Sequence, residues 1–261
     1  MLEAGSPQAP KEELMFSTDQ FPSHPVRPPL PRWHTASAQG PRSVNADAAA
    51  AFARAKQDIV FALADGVGDE AGAARAARVA VSAASRAPAA EGPVAAVLAA
   101  QRAVRELGGG GDCVLVVAIP FGDGLGFRVA WLGDARAYSW TAGSLVQLTT
   151  DHTLAQYFRD HDQQPSPHME HIVTASVRTA GANEIGTAEV HSGGLLLTSD
   201  GVHKTLTAEA MLEALTEPEH AAASLVETAI AGGGSDNATA IVVAPPGAVA
   251  KLSTVKLTAA A

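Results

Sequence analysis

Ile59-Val60-Phe61-Ala62-Leu63-Ala64-Asp65-Gly66 is an unbroken apolar run that stops at an aspartate and a glycine. Its length and its β-branched and aromatic content read as a buried strand, with the chain turning at Asp-Gly. Asp tolerates such a turn, and Gly accepts positive φ and lets a backbone carbonyl approach a ligand. The same design recurs along the chain. Phe127-Arg128-Val129-Ala130-Trp131-Leu132 leads into Gly133-Asp134-Ala135-Arg136, and Leu195-Leu196-Leu197-Thr198 leads into Ser199-Asp200-Gly201. Ser235-Asp236-Asn237 precedes a last apolar run from Ala238 to Val243. Each segment sets a carboxylate at a sheet edge, and together they have the character of an oxygen cage for a divalent cation.

Around these runs the pattern alternates between strands and helices. Trp33 to Gln39 alternates weakly, Gly40-Pro41 turns and Asp47 to Arg54 extends, so a hairpin is the simplest connection. Glu70 to Ala87 is rich enough in Ala and Arg to be helical by propensity, and a second helix runs from about Pro93 to Leu107, ending at Gly108-Gly109-Gly110-Gly111. Cys113 to Ile119, Gly126 to Leu132, Arg136 to Trp140 and Leu145 to Leu148 read as an antiparallel meander. Residues 153–187 are polar, bear histidines and are broken by Pro165 and Pro167, which suggests a short helix followed by a surface flap. Thr207 to Leu215, with Thr207 as N-cap, and Ala221 to Ala231 are helical by pattern. This order suggests two facing sheets with helices outside.

With 261 residues and 47% hydrophobic content, the chain can bury a sizeable core. The single cysteine, Cys113, sits among apolar neighbours and reads as buried. A net charge of −9 with no long run of Lys and Arg argues against nucleic acid as a partner. No apolar stretch is long enough to insert into a membrane, and the first residues have no basic leader, so a cytoplasmic location is expected. Residues 1–31, dense in proline, read as a flexible arm, residues 32–246 as the folded domain and residues 247–261 as a tail or edge segment.

Read in order, Arg42-Ser43-Val44-Asn45-Ala46-Asp47, Ala64-Asp65-Gly66-Val67-Gly68, Gly133-Asp134-Ala135-Arg136, Leu148-Thr149-Thr150-Asp151-His152, Thr198-Ser199-Asp200-Gly201 and Ser235-Asp236-Asn237 resemble a known motif series. It is that of the metal-dependent serine/threonine protein phosphatases of type 2C, in their bacterial form. The resemblance spans about residues 33 to 244, and the ordered series is far more specific than any one motif. It implies an α+β, four-layer αββα sandwich of two antiparallel sheets flanked by helices. It also implies two Mn²⁺ or Mg²⁺ ions at the sandwich edge. Asp65 would bridge both, Asp200 and Asp236 would hold the first, and Asp47 with the Gly66 carbonyl would serve the second. Asp134 would share a third, weaker ion with Asp200, and Arg42 would bind the substrate phosphate. The implied reaction is attack of a metal-bridging hydroxide on phosphoserine or phosphothreonine, with a phosphorylated protein as substrate and a cognate kinase as counterpart.

The chain departs from the family in several places. Ala46 replaces a frequent Glu or Gln, and Val67 stands where eukaryotic members carry a histidine. Gly68-Asp69 replaces the family's usual Gly-Gly, Gly111-Asp112-Cys113 replaces its Gly-Ser/Thr-Thr turn, and the flap lacks the family's usual arginine motifs. Asp134 could instead pair with Arg136, and Asp151-His152 reads as a buried hydrogen-bonded pair. His161, His168 and His171 have a zinc-like spacing but fit a polar flap better. Two other functions remain open: a pseudophosphatase acting as a phosphopeptide-binding scaffold, supported by Ala46, and a phosphatase for a small phosphomonoester, which the atypical flap permits.

Overall fold

The computed structural model describes residues 31–246 apart from 56 and 57. The expected proline-rich arm, all but its last residue, and the expected tail lie outside the described residues. Strand β3 (Asp58–Gly66) explains the architecture, because its two faces meet different layers. Successive side chains of a strand point to opposite faces. Ile59, Phe61 and Leu63 enter one cluster with Leu195, Leu197, Ile241 and Val243 of the opposite sheet. Val60, Ala62 and Ala64 pack with the alanines of helices α1 (Ala71–Ser85) and α2 (Gly92–Glu106). Burial on both faces is why the run is apolar throughout, and β4 (Cys113–Pro120) repeats the arrangement.

One sheet has the order β2-β3-β4-β5-β8, where β2 is Ala48–Ala55, β5 is Phe127–Leu132 and β8 is Gly186–Val190. The other has the order β1-β10-β9-β6-β7, where β1 is Trp33–Ala38, β6 is Arg136–Thr141, β7 is Ser144–Gln147, β9 is Gly194–Thr198 and β10 is Ala238–Val243. Every pairing between these strands is antiparallel. A third apolar cluster joins the outer face of this second sheet to helix α6 (Pro218–Ala231) and α5 (Ala208–Ala214). The result is the expected α+β sandwich of helix, sheet, sheet and helix. Thr207 caps α5 as expected, its hydroxyl accepting from the Ala210 amide. Among the described residues no helix is long and apolar enough to cross a membrane.

Two local expectations are corrected. Trp33 to Arg54 is not a hairpin: β1 pairs with β10 and β2 pairs with β3, in different sheets. The intervening loop is tied down by Asn237, which donates to the Gln39 and Val44 carbonyls and accepts from the Ala46 amide. The chain therefore changes sheets there instead of folding back on itself. Nor is 113–148 one meander, because β5 pairs with β4 and β8 whereas β6 pairs with β7 and β9. The crossing occurs at Gly133, whose φ of +90° and lack of room for a Cβ, which would lie 2.0 Å from Val114 Cγ1, demand glycine. Strand β8, which begins in the last two residues of the region read as flap and runs past it, is a half-exposed edge strand with a weak apolar signal.

Candidate metal centre

The sheet change at residues 39–47 and the crossing at Gly133 bring the aspartate-bearing segments to one edge of the sandwich. Asp65 continues the parity of Ile59, Phe61 and Leu63, so it faces the space between the sheets at its rim. From the other sheet, β9 runs into the one-turn helix α4 (Asp200–His203), and Asp236 precedes β10. A Cβ on Gly201 would lie 2.0 Å from the Asn237 carbonyl oxygen, so glycine permits the close approach of these two segments. A cleft of about 200 Å³ is lined by Arg42, Asp65, Gly66, Asp134, Asp200 and Asp236, together with Lys204 and His171. Asp47 lies buried just behind this lining. Its Oδ2 accepts from the Ser199 hydroxyl at 2.7 Å, and its Oδ1 is buried with no hydrogen-bond partner among the described residues.

The acids strain one another electrostatically. Burial pushes the Asp47 carboxyl up to about 7, reinforced by Asp200 and Asp236 against the hydroxyls of Thr239 and Ser199. Burial also holds Asp65 well above the ordinary carboxylate range, and repulsion from Asp47, Asp200, Asp134 and Asp236 adds to it. Asp134 is raised by burial despite Lys204, and Asp236 by burial and Asp200 despite Asn237 and Arg42. Converging hard oxygen donors whose charges repel, one of them an orphaned buried oxygen, fit divalent cations such as Mn²⁺ or Mg²⁺. Among the described residues no three acidic, histidine or cysteine side chains close around a single point. Two basic side chains take carboxylate oxygens instead. Arg42 Nη2 donates to Asp236 Oδ2 at 2.6 Å and its Nε to the Ser235 carbonyl at 2.9 Å. Lys204 Nζ lies 2.7 Å from Asp134 Oδ2 and 2.9 Å from Asp200 Oδ2.

A pH dependence follows with a definite sign. Because Asp47 titrates near 7 when folded and near 3.8 otherwise, the metal-free fold binds more protons than the unfolded chain across that window. Its contribution to stability is present below 3.8 and is lost as pH rises towards 7. A divalent cation competes with those protons, so the rise in Tm caused by Mn²⁺ over chelator should be larger at about pH 8 than at about pH 5. Equal shifts at both pH values would contradict this arrangement of acids.

The chain is similar to proteins described as phosphatases. The serine/threonine protein phosphatase PstP of Mycobacterium tuberculosis is 33% identical over 120 residues, which cover 42% of this chain and 23% of that protein. The crystal structure of the PstP catalytic domain in complex with two manganese ions superposes with a TM-score of 0.68 at 27% identity, covering 83% of this chain and 98% of that one. The chain has the fold of the type 2C, or PPM, phosphatases. The PPM Ser-Thr phosphatase MsPP of Mycobacterium smegmatis, in complex with cacodylate, is similar at 27% identity and a TM-score of 0.65, covering 83% of this chain and 99% of that one. No protein-family profile matches the chain. The matched segment spans about a quarter of the length of the curated relative, 23%.

Within this type 2C fold, the residues named from sequence are brought together around one cleft, with Asp47 behind it. Asp134 pairs with Lys204 rather than Arg136, and Arg136 instead holds Asp151 through two bonds of 2.6 and 2.9 Å. Asp151 and His152 do not bond each other: His152 Nδ1 accepts from the Gly133 amide at 3.2 Å, fixing the crossing that carries Asp134. Sequence reasoning missed Ser199, which holds Asp47 and accepts from the Thr239 amide. It also missed Asp69, whose carboxylate accepts from the Ser43 and Val44 amides beside Arg42. Asp112 receives the Ser176 hydroxyl and the Arg178 amide, so this departure from the family's turn anchors the far end of the flap. Lys204, four residues after Asp200, was also missed, although that spacing is a recognisable helical ion pair.

Proposed function

We propose that the chain is a metal-dependent phosphatase acting on phosphoserine or phosphothreonine in proteins. The observation that supports it most is the convergence of Asp47, Asp65, Asp200 and Asp236 from two sheets, with Arg42 on the same cleft. Asp200 and Asp236 would hold one ion, Asp47 and the Gly66 carbonyl the other, and Asp65 would serve both. When bound, such ions activate water and neutralise phosphoryl charge. Arg42 Nη1 has no hydrogen bond among the described residues, so the guanidinium can take a phosphate oxygen while its other nitrogens stay on Asp236 and Ser235. Val67, in place of a histidine, has no proton to give. His171, which the flap contributes to the cleft lining, has an imidazole able to protonate the leaving serine or threonine oxygen. The implied counterpart is a kinase that installs the phosphate.

A phosphopeptide-binding scaffold is the rival reading. It draws on Ala46, which packs with Ala73 and Ala74 and brings no ligand, and on the hold of Arg42 and Lys204 on carboxylate oxygens. Phosphate release from a phosphothreonine peptide and from p-nitrophenyl phosphate, with Mn²⁺, with Mg²⁺ and with chelator, separates the two. Turnover that chelator abolishes is the expected result, and the peptide should be the better substrate. A folded, Mn²⁺-loaded chain that binds the peptide without turning it over would move the assignment to the scaffold.

A further inference from the structure

The Lys204 ammonium is enclosed by oxygen. Its Nζ donates to Asp134 Oδ2 at 2.7 Å, to Asp200 Oδ2 at 2.9 Å and to the Glu170 carbonyl at 3.1 Å. An ammonium has three N–H donors, and each here has an acceptor. Two carboxylates and a backbone carbonyl are the donor set that hard cations choose. Asp134 is 6% exposed on its side chain and Lys204 20%, so the pair is largely withdrawn from water. We infer that Lys204 is a tethered cation that occupies the position between Asp134 and Asp200 where a third metal ion would otherwise bind, leaving this chain with at most two exchangeable ions. The inference rests on the reading of Asp47, Asp65, Asp200 and Asp236 as the holders of those two.

Three physical arguments support the assignment. The ammonium is attached to the chain only four residues from Asp200, so its effective concentration at the site is on the order of millimolar or higher, and a weakly held ion in solution must outcompete it. Displacing it would strand Asp134, which is buried and already raised by that burial, until the incoming ion replaced both bonds. Lys204 also binds the flap through Glu170, and Glu170 is itself paired with Arg159 of helix α3 (Leu154–Asp160). Expelling the ammonium therefore loosens the flap as well as the acids. Because the ammonium takes only Oδ2 of Asp200, Oδ1 is left for a metal ion.

The test counts metal rather than turnover. Mn²⁺ bound per chain is measured by equilibrium dialysis with elemental analysis, up to millimolar free metal, for the wild type and for Lys204→Arg, Lys204→Gln and Lys204→Ala. The expected result is one additional weak ion in Lys204→Gln and Lys204→Ala only, with Lys204→Arg matching the wild type because the charge is retained. Two neutral variants of different size guard against one that fails to fold. Equal counts and affinities across all four proteins would overturn the inference, and so would a third ion in the wild type. Failure of the phosphatase reading would look different: no phosphopeptide turnover in any of the four, with the difference in metal count intact.

Discussion

Asp65→Asn keeps the fold and loses at least about 1,000-fold of metal-dependent phosphate release, close to 4 kcal/mol of barrier. Asp65 ends β3 on the inter-sheet side, and every other acid of the cleft raises its carboxyl through repulsion. Asparagine replaces one carboxylate oxygen by an amide nitrogen and removes the charge, which weakens the ligand proposed to serve both ions and also relieves that repulsion. The metal-free variant should accordingly melt no lower than the wild type, and higher at neutral pH, where the wild-type carboxyl cluster is most strained. Loss of turnover with unchanged or improved metal-free stability distinguishes a functional acid from a structural one. Mn²⁺-dependent hydrolysis within about tenfold of wild type would remove Asp65 from the proposed centre.

Asn237→Ala is expected to act through stability. The buried amide makes three hydrogen bonds: Oδ1 accepts from the Ala46 amide at 2.8 Å, and Nδ2 donates to the Gln39 and Val44 carbonyls at 2.7 and 2.9 Å. Alanine would leave these backbone groups without partners in a place that water reaches poorly, at a cost of about 2–4 kcal/mol. For a domain of this size that corresponds to a fall in Tm of roughly 5–15 °C, read with chelator present. The loop so released carries Arg42 and Asp47, so KM for phosphopeptide should rise as well. Asn45→Ala is the control, because the partly exposed Asn45 side chain bonds only the Ser37 hydroxyl and the Asp47 amide, and it should cost about 1 kcal/mol or less. An Asn237→Ala protein that melts within about 2 °C of wild type would refute the anchoring role.

What could be read from sequence depended on whether the signal was local. β3, β4, β9 and β10 were legible because strands buried on both faces write an apolar run that needs no partner to recognise. Which strand lies beside which was not. The hairpin expected for β1 and β2 is undone by Asn237, nearly the whole domain away in sequence, and the expected meander by the crossing at Gly133. β8 was missed because an edge strand alternates exposed polar and half-buried residues and borders a polar flap. Asp65, Asp134, Asp200 and Asp236 were legible because each ends, follows or precedes an apolar run beside Gly or Asn, whereas Asp47 was named from the motif series. Ser199, and Lys204 beyond its local pairing with Asp200, acquire their meaning from Asp47 and Asp134, partners that folding brings from other parts of the chain.

The parity of β3 sets a rule for how this chain can vary over evolutionary time. Asp65 reaches the inter-sheet rim because it keeps step with Ile59, Phe61 and Leu63. Point substitutions among those positions change volume and leave the carboxylate where it is. Deleting or inserting one residue upstream in the strand turns it to the helix side, even with composition almost unchanged. Length changes should therefore be purged from β3 and tolerated between Asp162 and Ser166, a surface loop whose size does not alter which way any carboxylate points.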